Sequence, residues 1–178
     1  TYHIQLKDKE NVASADPIEY ALKIVPDAYP TAQIIFPGTN VDIAENQKLN
    51  MLYKITDDFG FSKLRRAYKL IQSRYEQPWQ EDKFTLIPIP EGIRNETEVT
   101  HLWSLQEMNL VPEDVVSYYL EVFDNDDVSG PKSAKSEVYT LRLPSLEEVF
   151  ADVDKSHEMS IEGMKEALKQ SEEAKKEL

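Results

Sequence analysis

Cysteine is missing altogether from this chain of 178 residues. Its absence removes disulfides, thiolate chemistry and cysteine-based zinc sites together. It suits a cytosolic or a bacterial exported protein, and a eukaryotic secreted sandwich less well. No apolar run approaches the ~20 residues needed to span a bilayer, and no signal peptide is present. The chain opens on Thr1 and ends in a charged segment, so it reads as a piece of a longer protein whose targeting signals could lie elsewhere. Basic residues are scarce: 20 Lys and Arg stand against 33 Asp and Glu, a net charge of −13. A phosphate-backbone partner would need clustered cations, so neither nucleic acid nor contact of this segment with an anionic membrane is expected. Cations and basic partners stay open.

What is present is enough apolar material, 40% of residues, to build one or two domains with real cores. An internal repeat organises it. Tyr2, Ile4, Leu6, Asp8, Val12, then Tyr20, Leu22, Ile24 match Tyr118, Leu120, Val122, Asp124, Val128, then Tyr139, Leu141, Leu143. The first arm matches at one constant offset, and the second resumes after a short insertion. Such self-similarity reads as a tandem array of β units.

Period-two alternation, the mark of half-buried strands, dominates up to Pro144. Ile18, Tyr20, Leu22 and Ile24 give one apolar face. Further strands are expected over Thr31–Phe36, Leu49–Thr56, Ser62–Gln72, Asp82–Ile89, Glu98–Leu105, Asp114–Phe123 and Glu137–Leu143. Turn residues separate them at Pro37-Gly38, Asp57–Gly60, Pro90–Gly92 and Gly130-Pro131. The fold expected is mostly β: an immunoglobulin- or fibronectin-type sandwich of about seven strands, with a C-terminal α-helix. Leu110, Pro112 and Tyr118 would form its tyrosine corner.

The organisation expected is threefold. Residues 1–25 would be the terminal hairpin of a truncated upstream immunoglobulin-like unit, with Pro26 and Pro30 as the hinge. Residues 26–144 would be a complete sandwich. Residues 145–178 would be an amphipathic helix, a possible start of a coiled coil. An isolated hairpin is marginal in water, so the first segment should pack on the sandwich or pair with another chain. Ser145-Leu146-Glu147-Glu148 is a capping box, and Leu146, Phe150, Val153, His157, Ile161, Met164, Leu168 and Leu178 make the apolar stripe.

Four stretches resemble an uncharacterised family of large, membrane-anchored bacterial proteins known only by a domain of unknown function. They are Asp16–Tyr20 through Pro26–Pro30, Asp57–Phe61, Tyr118–Pro131 and Leu143–Phe150. The resemblance implies immunoglobulin-like repeats followed by a long charged helical region, in the periplasm or cell envelope, with the parent protein anchored in the membrane. It implies no activity.

Acidic loops are the first candidate for chemistry. In such a sandwich the loops after the second and sixth strands share a pole, which gathers Asp57 and Asp58 with Asp124, Asp126 and Asp127. Carboxylate oxygens on loops are what calcium requires, and calcium is the one cofactor the sequence suggests. The plainer reading has these residues capping turns, neutralised by Lys132, Lys135 or arginines. Asp58-Phe59-Gly60 matches a kinase metal-binding triplet, but nothing else of a kinase is there, so it is a turn. His3, His101 and His157 fall on two strands and the helix, with no nucleophile elbow, and no carboxylate pair stands out. Catalysis by this chain is not expected.

Tyr75 and Trp79, with Phe84 nearby, could stack on a sugar ring or seat a peptide; equally they could cover the core. Lys63, Arg65, Arg66 and Lys69 make the third strand basic, as a charge-protected edge strand would be. Asn95-Glu96-Thr97 is a glycosylation sequon, incidental in a bacterial protein. The function expected is a non-catalytic structural or protein-interaction module, with a protein partner, a neighbouring immunoglobulin-like domain, or a second copy through the hairpin or helix. The alternatives are a calcium- or glycan-binding sandwich and an accessory segment of an enzyme whose catalytic domain lies elsewhere.

Overall fold

The computed structural model describes residues 1–14, 19–43, 46–90, 92 and 95–176. Ile18 of the expected second strand, Asp16 and Pro17 of the resemblance, Glu91 of an expected turn, and Leu178 lie outside the described residues.

A short hairpin comes first, β1 (Tyr2–His3) with β2 (Glu19–Tyr20), then β3 (Thr31–Phe36), β4 (Val41–Asp42), β5 (Lys48–Thr56) and β6 (Phe61–Gln72). β7 (Lys83–Leu86), β8 (Glu96–Ser104), β9 (Val115–Asp124), β10 (Ser133–Lys135) and β11 (Tyr139–Arg142) follow, and α1 (Leu146–Lys176) closes the chain. Each of the seven strands expected between Thr31 and Leu143 is found. Two short segments, β4 and β10, were not anticipated: both are too brief to show an alternating pattern. Gly38 turns β3 toward β4 at φ +63, where an added Cβ would meet the Ile35 carbonyl oxygen at 2.9 Å.

From β3 onward the strands form two sheets around one core. A three-stranded sheet runs β3-β5-β8, and a six-stranded one runs β4-β11-β9-β6-β7, with β10 also paired to β9. β11 lies antiparallel to β9 and parallel to β4. Alternation does the sorting. Met51, Tyr53 and Ile55 of β5 and Val99 and Trp103 of β8 meet Leu64 and Leu70 of β6 and Val116, Tyr118, Leu120 and Val122 of β9, all buried.

The aromatic centre of this core is Trp103, whose ring lies 5.4 Å from that of Tyr118 and 5.6 Å from that of Tyr68. The expected tyrosine corner does not form. Tyr118 sits well into β9 with its ring against Trp103 and Tyr139, and its hydroxyl has no partner among the described residues. Asp114 closes that corner instead. Its carboxylate accepts from Val111 N–H at 2.9 Å, and its carbonyl accepts from Leu143 N–H at 3.0 Å.

Reading β6 as a basic edge strand also needs correction: it lies between β9 and β7. Its cations divide by pleat. Arg65 points outward, 2.6 Å from the Glu121 carboxylate and stacked over Phe84. Arg66 points inward and is 1% exposed. Its guanidinium lies 3.8 Å above Trp103 and donates to the Tyr53 hydroxyl at 3.2 Å and to His101 Nδ1 at 3.4 Å, while its Nε has no partner among the described residues. Burial holds the Arg66 pKa below its ordinary value, and burial together with Arg66 does the same to His101.

The leading hairpin repeats the β9–β11 geometry in miniature. Tyr2 pairs with Tyr20 as Tyr118 pairs with Tyr139, with ring centroids 5.2 and 6.2 Å apart. Asp8 Oδ1 accepts from the N–H two residues on, at 2.8 Å, and Asp124 Oδ1 does the same at 3.2 Å. Of the two arrangements expected for this hairpin, packing on the sandwich or pairing with another chain, the first is not seen within this chain: Ile4, Leu6, Leu22 and Ile24 are all exposed, Ile24 to 89%.

The capping box at the head of α1 is as read. Ser145 Oγ accepts from Glu148 N–H at 3.2 Å, and Ser145 N–H donates to Glu148 Oε2 at 2.9 Å. Arg142 ties this turn to the sheet, pairing with Glu148 at 3.0 Å and Asp42 at 2.8 Å.

Candidate functional site

The loop joining β5 to β6 and the loop joining β9 to β10 meet at one pole, as expected. Asn125 Nδ2 donates to the Phe59 carbonyl at 3.2 Å, and the Ser62 hydroxyl donates to the Asp124 carbonyl. The segment between the hairpin and the sandwich comes to the same place, since Ala28 N–H donates to Asp58 Oδ2 at 3.1 Å.

Within this pole each carboxylate has its own work. Asp57 is buried, and its Oδ2 accepts from Phe59 and Gly60 N–H groups at 3.0 and 2.7 Å while its Oδ1 has no partner among the described residues. Asp124, 1% exposed, accepts from Lys132 N–H at 2.9 Å besides the bond from Asp126. Asp126 accepts from Val128 and Ser129 N–H groups at 2.8 and 2.9 Å. Those two bonds, Ser129 foremost, hold its carboxyl below the usual carboxylate range. Asp127 has no partner among the described residues.

The cation at this pole is a side chain. Lys132 Nζ pairs with Asp27 and stands 3.5 Å from Asp124 and 3.8 Å from Asp126, with the Tyr29 ring 6.0 Å away. The hydrogen bond to Asp27 is the chief reason its pKa is raised. Among the described residues, no group of three or more His, Cys, Asp or Glu side chains is arranged to hold a metal ion. Of the expected residues, Asp124 and Asp126 share the Lys132 ammonium, Asp57 and Asp58 cap backbone N–H groups at the same pole, and Asp127 takes no part among the described residues. Sequence reasoning named Lys132 only as one possible neutraliser and missed Asp27, whose position just after Pro26 was its only signal.

No family model and no curated protein matches this chain.

The two aromatic candidates part company. Trp79 is packed on the core, its ring 6.4 Å from Tyr68 and covered by Lys83 Nζ at 3.5 Å, and its backbone N–H donates to the Leu70 carbonyl. Tyr75 is 74% exposed. A shared stacking platform is not what they build. A groove of about 730 Å³ opens between the start of β6 and the segment after β7, and Lys63 is the only charged residue along its described wall. General acid–base chemistry needs a titratable pair within reach of one reacting atom, and that wall supplies none.

Proposed function

We propose that this chain is a non-catalytic structural and protein-interaction module, part of a tandem array of immunoglobulin-like sandwiches in a membrane-anchored protein of the bacterial envelope. The observation that carries the reading is the match between the two hairpins, in tyrosine pairing and in the aspartate that caps each loop. A hairpin that copies β9 and β11 is the end of a second sandwich, and residues 1–25 take that part. The strand order, with the last strand antiparallel to β9 and parallel to β4, supports an immunoglobulin-like assignment for residues 26–144. The envelope location rests on the family resemblance.

The shifted carboxyls and ammonium at Asp42, Asp126, Lys132 and Glu148 each trace first to a hydrogen-bonding partner that also holds a turn or a strand end. Perturbed groups of that kind belong to ion-pair networks as readily as to active sites. Lys132, Asp27 and the Asp58–Ala28 bond then serve as a strap that fixes how the sandwich follows the unit before it.

A thermal melt of the chain in chelator and in millimolar calcium tests this reading against the calcium alternative. The expected result is one midpoint in both. A rise of several degrees, abolished by Asp57→Asn with Asp124→Asn, would assign the pole to calcium, because a ligand that binds only the folded state stabilises it by mass action.

A further inference from the structure

Helix α1 carries an uncovered stripe, with Leu146, Phe150, Met164 and Leu168 more than half exposed. Its spacing is unusually regular. Leu146, His157 and Leu168 recur every eleven residues, and so do the pairs Phe150–Ile161 and Val153–Met164. An eleven-residue period is about 3.67 residues per turn, so the stripe scarcely drifts around a nearly straight helix. A polar residue within such a seam, here His157, fixes register at a cost in stability.

The two borders of the stripe differ. Asp154, Glu158, Lys165 and Lys169 line one side, acidic toward the helix start and basic toward its end. Gly163 and Ala167 lie on the other. Gly163 is exposed, and nothing stands within 4 Å of where its Cβ would be. Glycine inside a helix is destabilising relative to alanine, and no neighbour among the described residues requires one there.

We propose that α1 is a self-association surface on which two copies of the chain pair antiparallel through this stripe. The charge pattern selects the partner and its direction. With Ile161 of the two copies near the centre, Asp154 comes level with Lys169 of the partner subunit, and Glu158 with Lys165 of the partner subunit. The two-fold axis makes four such pairs. The parallel arrangement sets the charged border against the small-residue border and forms none of them. This deepens the reading of the chain as an interaction module and rests on it.

Sedimentation equilibrium of the full chain over a micromolar range is the test. The expected result is a dimer that Ile161→Asp converts to monomer with the sandwich melt unchanged. Asp154→Lys with Glu158→Lys should weaken association about tenfold at low salt, and adding Lys165→Glu with Lys169→Glu should restore it. Because the chain has no cysteine, direction is read by mild oxidation. Chains bearing Asp154→Cys and chains bearing Lys169→Cys should form a mixed disulfide several-fold faster than either forms its own. A monomer at every concentration overturns the proposal and leaves the module reading standing. Faster self-crosslinking of Asp154→Cys, or a charge swap that restores nothing, overturns the antiparallel pairing.

Discussion

The chain holds two hairpins written in the same pattern of tyrosines, aliphatics and aspartate, and they meet opposite fates. Tyr118, Leu120, Val122, Tyr139, Leu141 and Leu143 are buried or half-buried, while Tyr2, Ile4, Leu6, Tyr20, Leu22 and Ile24 are all exposed. What separates them is the three-stranded sheet: β3, β5 and β8 cover the first set, and nothing among the described residues covers the second. An alternating strand specifies a face, and burial depends on what the rest of the chain lays against it.

The largest break in the comparison comes from matched truncations. Tyr118→Ala should destabilise by about 3–5 kcal/mol, because it removes a ring from a close-packed core. Tyr2→Ala should change global stability by less than about 0.5 kcal/mol, the range for exposed sites. Urea denaturation of both variants checks this. Equal losses would mean that the hairpin is packed as tightly as its counterpart.

A second test works on the covering sheet itself. Arg66 spans the core from β6 to Tyr53 of β5 and Trp103 of β8, without a carboxylate among its partners. Arg66→Ala should cost about 3 kcal/mol, from the cavity and from the orphaned Tyr53 hydroxyl. Arg66→Met combined with Tyr53→Phe should recover that loss or exceed wild-type stability, since a buried charge replaced by apolar groups of similar size is often neutral or better. If the double variant is as weak as Arg66→Ala, the guanidinium is contributing net stability where it stands.

How much was legible follows from the same contrast. Period-two alternation located every strand from Thr31 to Leu143 that has four or more residues, because pleating puts each apolar side chain on a predictable face. It could not rank strands across a sheet, so β6 was read as an edge on the strength of four cations, three of which face outward. Nor could it see that Arg66 points inward, since one charge in an apolar series looks the same whether it protects an edge or lies over a tryptophan. At the acidic pole, loop order alone brought Asp57, Asp58 and Asp124 together. The closing ammonium was not legible, because Asp27 reaches Lys132 from a segment far away in sequence. Tyr118 was correctly placed in the core and wrongly given a corner role that Asp114 fills.

A third test compares the loop caps. Asp124 is buried and accepts from two backbone N–H groups, so Asp124→Ala should cost about 1–3 kcal/mol by stranding them. Asp8→Ala removes bonds of the same form, from Glu10 and Val12 N–H groups, on an exposed loop where water replaces them. Its effect on global stability should be a few tenths of a kcal/mol. Hydrogen exchange should show the change at Asp8 confined to residues of the first hairpin.

The smallest effect expected is in the pH dependence of the β9–β10 loop. Asp126 has its carboxyl held below the usual range by the Ser129 and Val128 N–H groups, whereas Glu10, at the matching place in the first hairpin, accepts no such bonds among the described residues. A depressed folded-state pKa contributes stability that is present above the unfolded value, about 3.9, and is lost as pH falls through the folded one. The difference in melting temperature between wild type and Asp126→Asn should therefore be largest near neutrality and shrink as the pH drops below about 4. Asp42 and Glu148 are also lowered, by Arg142 and by the Ser145 cap. They steepen the acid limb of both proteins alike, so the difference between them isolates the loop.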